Sequence, residues 1–337
     1  MAQPHFIILG AGASFDFISE KDMTADKRFK PPLAMNLLNP RLFHFIIKDY
    51  PEVSALTSSV QSALAKGKDL EEFMEELKSK GLNRKKQLVA LQFYLQKLFQ
   101  EISDNFGKQP GNNYYELINK IKDTEREACI VTFNYDSLLE GLIPRLIERQ
   151  ELRAYISDDI KIIKLHGSCE WSYFFRSMWD MESEEIRKIG IDRHLIENPE
   201  LLFGLGTDQK QPEVIPKRSY KDRDNGFSYP ALAIPLREKH DFVCPTSHVE
   251  IMKESLRKTG KILLIGWKAA DQNLLDIFTE EIKHPIEFTI VAGSKESGKE
   301  VEKELKEVLK VNCTFRIFDG GFSQFLSHND SDVFFQG

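Results

Sequence analysis

The chain has 337 residues, with 46 Lys plus Arg against 52 Asp plus Glu and a formal net charge of −6. Hydrophobic residues at 41% and charged residues at 29% allow a packed core and exclude wholesale disorder; the length suits one large domain or two ordinary ones. The mild acidity argues against direct nucleic-acid binding through net charge. Four scattered cysteines suit a reducing compartment, and no apolar run approaches a membrane span, so a soluble cytoplasmic protein is expected.

The first strand is expected over His5 to Gly10, and it runs into a glycine turn, Gly10-Ala11-Gly12-Ala13-Ser14. Gly10 permits a tight exit from the strand. Gly12 lacks a Cβ where backbone N–H groups would approach a phosphate, and Ser14 offers a hydroxyl as a cap or to that phosphate. The dehydrogenase fingerprint needs a third glycine, but Phe15 follows instead. Ser54 to Glu127 is helical in pattern throughout; Arg84 to Ile102 carries Leu88, Leu91, Leu95, Leu98 and Phe99 on one face.

A second strand, Ala128 to Phe133, ends in Asn134, Tyr135 and Asp136. Asp136 reads equally as a helix cap or a ligand group. A helix is expected from Asp136 to Arg149 on the spacing of Leu138, Leu139, Leu142 and Leu146. The third strand, Lys161 to Gly167, ends in His166, which directly follows an apolar run and precedes a glycine. Ser168 to Tyr229 is aromatic, charged and aperiodic, and reads as an irregular insertion.

Further strands are expected over Pro230 to Leu236, Lys261 to Trp267, Ile286 to Gly293 and Cys313 to Phe318. Helices are expected over Asp271 to Lys283 and Ser297 to Leu309. Most strands are apolar nearly throughout, as strands covered on both faces are. Strand–helix alternation therefore predicts an α/β fold: a Rossmann-like, mostly parallel sheet with helices on both faces, carrying a helical and an irregular insertion.

His240, Cys244 and His248 are spaced four apart, but Pro245 interrupts the helix that would align them, so a structural role is expected rather than a metal site. Gly293 to Glu300 approximates a phosphate loop. It places Glu300 where a metal-holding hydroxyl belongs, and reads as a solvated turn. Gly266 closes the fifth strand. Asp271 opens the next helix, as a helix-start residue or, in the sharper reading, a ribose contact.

In open α/β sheets the carboxyl ends of strands line the ligand crevice, so Gly10–Ser14, Asn134–Asp136 and His166–Gly167 are expected to converge on one ligand. Together these segments resemble the sirtuin family. GAGAS (Gly10 to Ser14), TFNYD (Thr132 to Asp136) and LHG (Leu165 to Gly167) occur in the family's order. GWKAADQNL (Gly266 to Leu274) is similar to an element of the sirtuin-like branch found in bacterial anti-phage defence proteins, with Lys268 in place of its serine. The chain has no Cys-x-x-Cys pair, whereas the protein deacylases of the family carry a four-cysteine zinc module.

The resemblance thus implies an NAD⁺ glycohydrolase, with NAD as substrate and no metal. It implies Asn134 and His166 as catalytic residues and Gly10, Ala11, Gly12, Ala13 and Ser14 as the pyrophosphate cradle. Asp136 would serve the nicotinamide end or the Asn134 loop, and Gly266 and Asp271 the adenosine side. One catalytic domain over residues 1–330 is implied, interrupted by the insertions 54–127 and 168–229. Residues 331–337 read as an appended tail. The resemblance also implies a gated defence effector that forms a homo-oligomer or works with a sensor or ATPase partner, without membrane association. The alternatives are an NAD-dependent protein deacylase and a non-catalytic NAD- or ADP-ribose-binding scaffold.

Overall fold

The computed structural model describes residues 3–19, 21–66, 81–149, 151–176, 184–203, 213–216, 226–234 and 242–336. Six strands form one parallel sheet: β1 (His5–Leu9), β2 (Ala128–Thr132), β3 (Ile160–Lys164), β7 (Lys261–Ile265), β8 (Ile286–Val291) and β9 (Cys313–Phe318). Their order is β3-β2-β1-β7-β8-β9. The apolar runs have the cause anticipated for them. Phe6, Ile7, Ile8 and Leu9 of β1 and Ile130 and Val131 of β2 are all fully buried, as residues covered on both faces must be.

The chain leaves β1 toward β2 and β3, then returns to the other side of β1 as β7. Direction therefore reverses between β1 and β7, and the register there runs from Phe6 opposite Ile262 to Leu9 opposite Ile265. A crevice is expected beyond the carboxyl ends at such a switch point.

The helices explain themselves locally. Helix Asn113–Asp123 is capped by Asn112, whose side chain accepts from the Tyr115 N–H, and it buries Tyr114, Leu117, Ile118 and Ile121 on one face. Helix Lys295–Val308 is capped by Ser294. It opens on the glycine-lysine turn, which is thus a strand-to-helix connection; Gly298 is buried there because a Cβ would meet Ile317 Cγ2 at 2.5 Å. The expected helix from Asp136 is broken. Only a 3-10 turn (Glu140–Leu142) and a short helix (Pro144–Arg149) form. Pro144 supplies no N–H and its ring obstructs the preceding turn, so the leucine spacing cannot continue across it.

Pro230 to Leu236 also departs from expectation. Its first part belongs to β6 (Gly226–Leu232), which pairs antiparallel with β4 (Gly167–Arg176) in a second sheet of order β5-β4-β6, where β5 is Glu213–Pro216. The aromatic stretch after His166 is therefore regular: Trp171 is fully buried and Phe175 stacks on Phe227 at 5.2 Å. The long helix Gly81–Phe106 holds this small sheet. Gln92, Gln96 and Gln100, four apart on one helix face, donate to the carbonyls of Leu232, Trp171 and Cys169 at 2.9, 3.0 and 2.9 Å.

The C-terminal residues are not a loose appendage. Helix Asn329–Gln336 buries Phe334 and Phe335, whose rings lie 5.6 and 5.3 Å from that of His5. Helix Thr246–Lys258 begins directly after Pro245 and buries His248. His240 lies outside the described residues. No described helix is long and apolar enough to cross a membrane.

Candidate functional site

Four carboxyl ends, those of β1, β2, β3 and β7, carry the residues singled out in the sequence. The glycine turn after β1 lies directly on the exit of β7. The Gly10 N–H donates to Ile265 O at 2.9 Å and the Gly12 N–H to Gly266 O at 3.1 Å. A Cβ on Gly10 would stand 2.4 Å from Gly266 O, and one on Gly12 would stand 2.7 Å from Gly266 Cα. Gly266 itself has φ +60°. These glycines are required because two main chains cross in contact, a constraint that the motif alone does not reveal.

That crossing changes the inventory of phosphate donors. Gly10 and Gly12 give their N–H groups to β7 and its exit, and the Ala13 N–H goes back to Gly10 O at 2.9 Å. Ala11 is the turn residue whose N–H has no backbone acceptor among the described residues. Ala11 and Gly12 are half-buried, whereas Gly10, Ala13 and Ser14 are buried. The turn thus presents its second and third residues outward and builds the rest into the core.

Ser14 does not cap the short helix Ala11–Phe15, whose cap is Gly10. Its hydroxyl lies 2.8 Å from the Tyr114 hydroxyl and accepts from Asn134 Nδ2 at 2.9 Å. Asn134 Nδ2 also reaches Gly10 O at 2.9 Å and the Tyr114 hydroxyl at 3.2 Å. Because Gly10 O can only accept, the amide orientation is fixed by chemistry. Asn134 is a clamp between the ends of β1 and β2, and Oδ1 is the atom it retains as an acceptor.

Asp136 points into the core and is 3% exposed. Burial pushes its carboxyl above the usual range, against the attraction of Lys164 and a hydrogen bond with Ser14. Lys164, 1% exposed at the end of β3, pairs with Glu140 at 2.7 Å and donates to the Asp136 carbonyl. Ser168 Oγ donates to the same Glu140 oxygen at 3.1 Å. Of the two roles expected for Asp136, this arrangement suits support of the Asn134 loop.

His166 and Asp271 meet. His166 Nε2 lies 2.9 Å from Asp271 Oδ2, and Asp271 Oδ1 accepts from the Leu274 N–H at 3.0 Å as the cap of helix Gln272–Glu281. Phe133 joins this pair to the glycine turn. Its ring lies edge-on to His166 at 4.8 Å and stacks on Trp267 at 5.6 Å, with 5° between the planes. Lys268, where the related element has serine, is exposed.

The structure therefore brings Gly10 to Ser14, Asn134 and Gly266 into direct contact and joins His166 with Asp271 through Phe133 and Trp267. Sequence reasoning missed Tyr114, which reaches the site from the helical stretch, and the buried Lys164–Glu140 pair. Tyr114 looks like any core aromatic in the sequence, and only the fold shows where its hydroxyl ends. Among the described residues no group of three His, Cys, Asp or Glu side chains is arranged to hold a metal ion.

No family model matches the sequence, and no curated protein matches it. Solved structures similar to the chain include a Sir2 homologue–NAD complex, at 11% identity and TM-score 0.42, covering 99% of this chain and 88% of that one. Sir2Tm bound to a propionylated peptide aligns at 12% identity and TM-score 0.42, covering 98% and 93%. Sir2 with an inhibitor, 2′-O-acetyl-ADP-ribose and a deacetylated p53 peptide aligns at 12% and 0.38, covering 98% and 94%. Identities and scores this low lend nothing to the assignment of an activity, which rests on the chain's own residues.

Proposed function

We propose that the chain is an NAD⁺ glycohydrolase that cleaves the nicotinamide–ribose bond to give nicotinamide, ADP-ribose and a proton. One observation carries this reading: the ends of four parallel strands assemble Ala11 and Gly12, Asn134, and the His166–Asp271 pair beside the switch point of the sheet. The order of the GAGAS, TFNYD and LHG segments supports the choice of dinucleotide.

The chemistry fits those side chains. The nicotinamide of NAD⁺ is cationic at the ring nitrogen and leaves as a neutral molecule, so no general acid is needed at the leaving group. The ribose passes through an oxocarbenium-like state, and a water must be placed and deprotonated. Ala11 N–H would donate to a pyrophosphate oxygen, with Gly12 admitting it closely. Asn134 Oδ1 would accept from the attacking water or a ribose hydroxyl. The His166 imidazole, whose ordinary pKa is near neutrality, would take the proton. Asp136 would brace the Asn134 loop from the core.

Hydrolysis of this kind depletes a central cofactor, so the activity is read as a gated one. Residues 1–330 would form the catalytic domain of a cytoplasmic defence effector. The helical stretch 54–127 would supply the surface for self-association or for a sensor or ATPase partner. Incubation with NAD⁺ and an acetylated peptide tests the reaction class. Free ADP-ribose with an untouched peptide is the expected result, and acetyl-ADP-ribose would replace the reading with that of a deacylase.

A further inference from the structure

The two oxygens of Asp271 have separate tasks. Oδ1 caps helix Gln272–Glu281 through the Leu274 N–H at 3.0 Å. Capping needs no more than that, yet Oδ2 lies 2.9 Å from His166 Nε2, across 105 residues of sequence. Both side chains are nearly withdrawn from water, at 10% exposure for His166 and 8% for Asp271. The hydrogen bond is therefore little screened and little contested by solvent.

The rest of the histidine is held as firmly. Leu165 N–H donates to Thr132 O at 3.0 Å, and His166 O accepts from the Ala233 N–H at 2.9 Å. Gly167 follows with φ +81°, where a Cβ would stand 1.9 Å from Ala231 O. The backbone on both sides of His166 is thus fixed by β2 and by the end of β6. Phe133 sets the ring plane from one side at 4.8 Å, and the Tyr135 ring lies at 6.4 Å. A ring so placed has one degree of freedom left to settle, which is where its proton sits.

An ionised carboxylate only accepts hydrogen bonds, so the nitrogen facing it must carry the hydrogen. We infer that Asp271 is a positioning residue that holds the proton of neutral His166 on Nε2 and thereby makes Nδ1 the atom that receives the proton in the reaction. This rests on the glycohydrolase reading. In that step the bond from ribose C1′ to nicotinamide breaks and its electron pair stays on the ring nitrogen. A water oxygen bonds to C1′, and the water proton passes to Nδ1. The resulting imidazolium is stabilised across 2.9 Å by the Asp271 carboxylate. Asp271 thus acts through His166, whereas the sequence pointed to a contact with ribose.

Asp271→Asn separates these roles, because asparagine caps helices as well as aspartate does. Its amide can present N–H₂ to the imidazole and so favour the other tautomer. In protein labelled with [¹⁵N]histidine, the His166 ring signal is identified by its loss in His166→Ala. The wild-type ring at alkaline pH is expected as the Nε2–H tautomer, and Asp271→Asn is expected to move it toward Nδ1–H. kcat for nicotinamide release should fall by about 10²–10⁴-fold, the scale of a wrong tautomer at a catalytic histidine, with KM for NAD⁺ within about threefold. An unchanged tautomer in Asp271→Asn, or a rise in KM with kcat preserved, would overturn the inference and restore the ribose contact. A wild-type Nε2–H ring displaced in the variant, in a protein that releases no nicotinamide, would uphold the positioning and overturn the glycohydrolase reading instead.

Discussion

Replacing Gly266 by alanine probes the close crossing on which the site is built. Gly266 has φ +60°, a conformation that costs an L-residue about 1–2 kcal/mol. An alanine Cβ would also stand 2.5 Å from Ala13 N, Gly12 C and Gly12 Cα. All three are backbone atoms, so no side chain can rotate away, and overpacking of this kind adds about 1–3 kcal/mol. Together these give a destabilisation of about 2–5 kcal/mol, a large share of the stability of an ordinary domain. Urea unfolding followed by tryptophan fluorescence and far-UV circular dichroism measures it, with the m-value as the check on two-state behaviour. Gly293→Ala is the internal control. Gly293 has an ordinary φ, and nothing lies within 4 Å of where its Cβ would be, so that variant should change stability by less than about 0.5 kcal/mol. If Gly266→Ala unfolds at the wild-type urea concentration, the glycine turn does not meet the β7 exit as described.

Three further outcomes follow from the buried polar groups. Tyr114→Phe removes a hydroxyl that bonds Ser14 and Asn134 in the core. It should cost about 1–2 kcal/mol in urea unfolding and lower nicotinamide release through a loosened Asn134, while Tyr115→Phe, on the exposed side, should do neither. Acid should destabilise the fold through two histidines. Burial lowers His5 to about 4, helped by the charges of Arg126 and Lys261, and burial lowers His248 to about 4. A depressed folded-state value means that the stability is present above pH 6.5, falls as the unfolded chain takes up protons, and is fully lost below about 4. Each contributes up to about 3 kcal/mol. Asp136 works in the opposite sense, since its raised value favours the folded state at low pH. Urea midpoints between pH 7 and 4.5 should therefore fall in the wild type and fall less in His248→Gln; a flat profile would contradict the burial of both rings.

The order of strands and their role at the site were legible because they depend on local pattern. HFIIL, ACIVT and KILLI are apolar throughout since both faces are covered, and Gly10, Asn134, His166 and Gly266 stand where those runs stop. What could not be read depends on contacts between distant segments. Nothing around Asp271 announces a histidine 105 positions away, and its helix-start character hid a second task. Ser14 looked like a phosphate ligand because the sequence does not say that Tyr114 and Asn134 would claim its hydroxyl. Ser168 to Tyr229 looked irregular because β4 pairs with strands far along the chain and takes its carbonyl partners from Gln96 and Gln100 of a helix. Pro230 to Leu236 was assigned to the main sheet on its apolar character alone, which does not distinguish a parallel strand from one covered by a neighbouring helix.

The most direct measurement is chromatography of NAD⁺ after incubation with the purified protein, over a range of protein concentrations that spans its self-association. His166→Gln is the comparison of choice, since a glutamine amide can still donate to Asp271 but cannot take a proton. Nicotinamide and ADP-ribose should appear in equal amounts with the wild type and be lost with His166→Gln. Intact NAD⁺ at every wild-type concentration, or equal release by the variant, would contradict the proposal that these strand ends hydrolyse the dinucleotide.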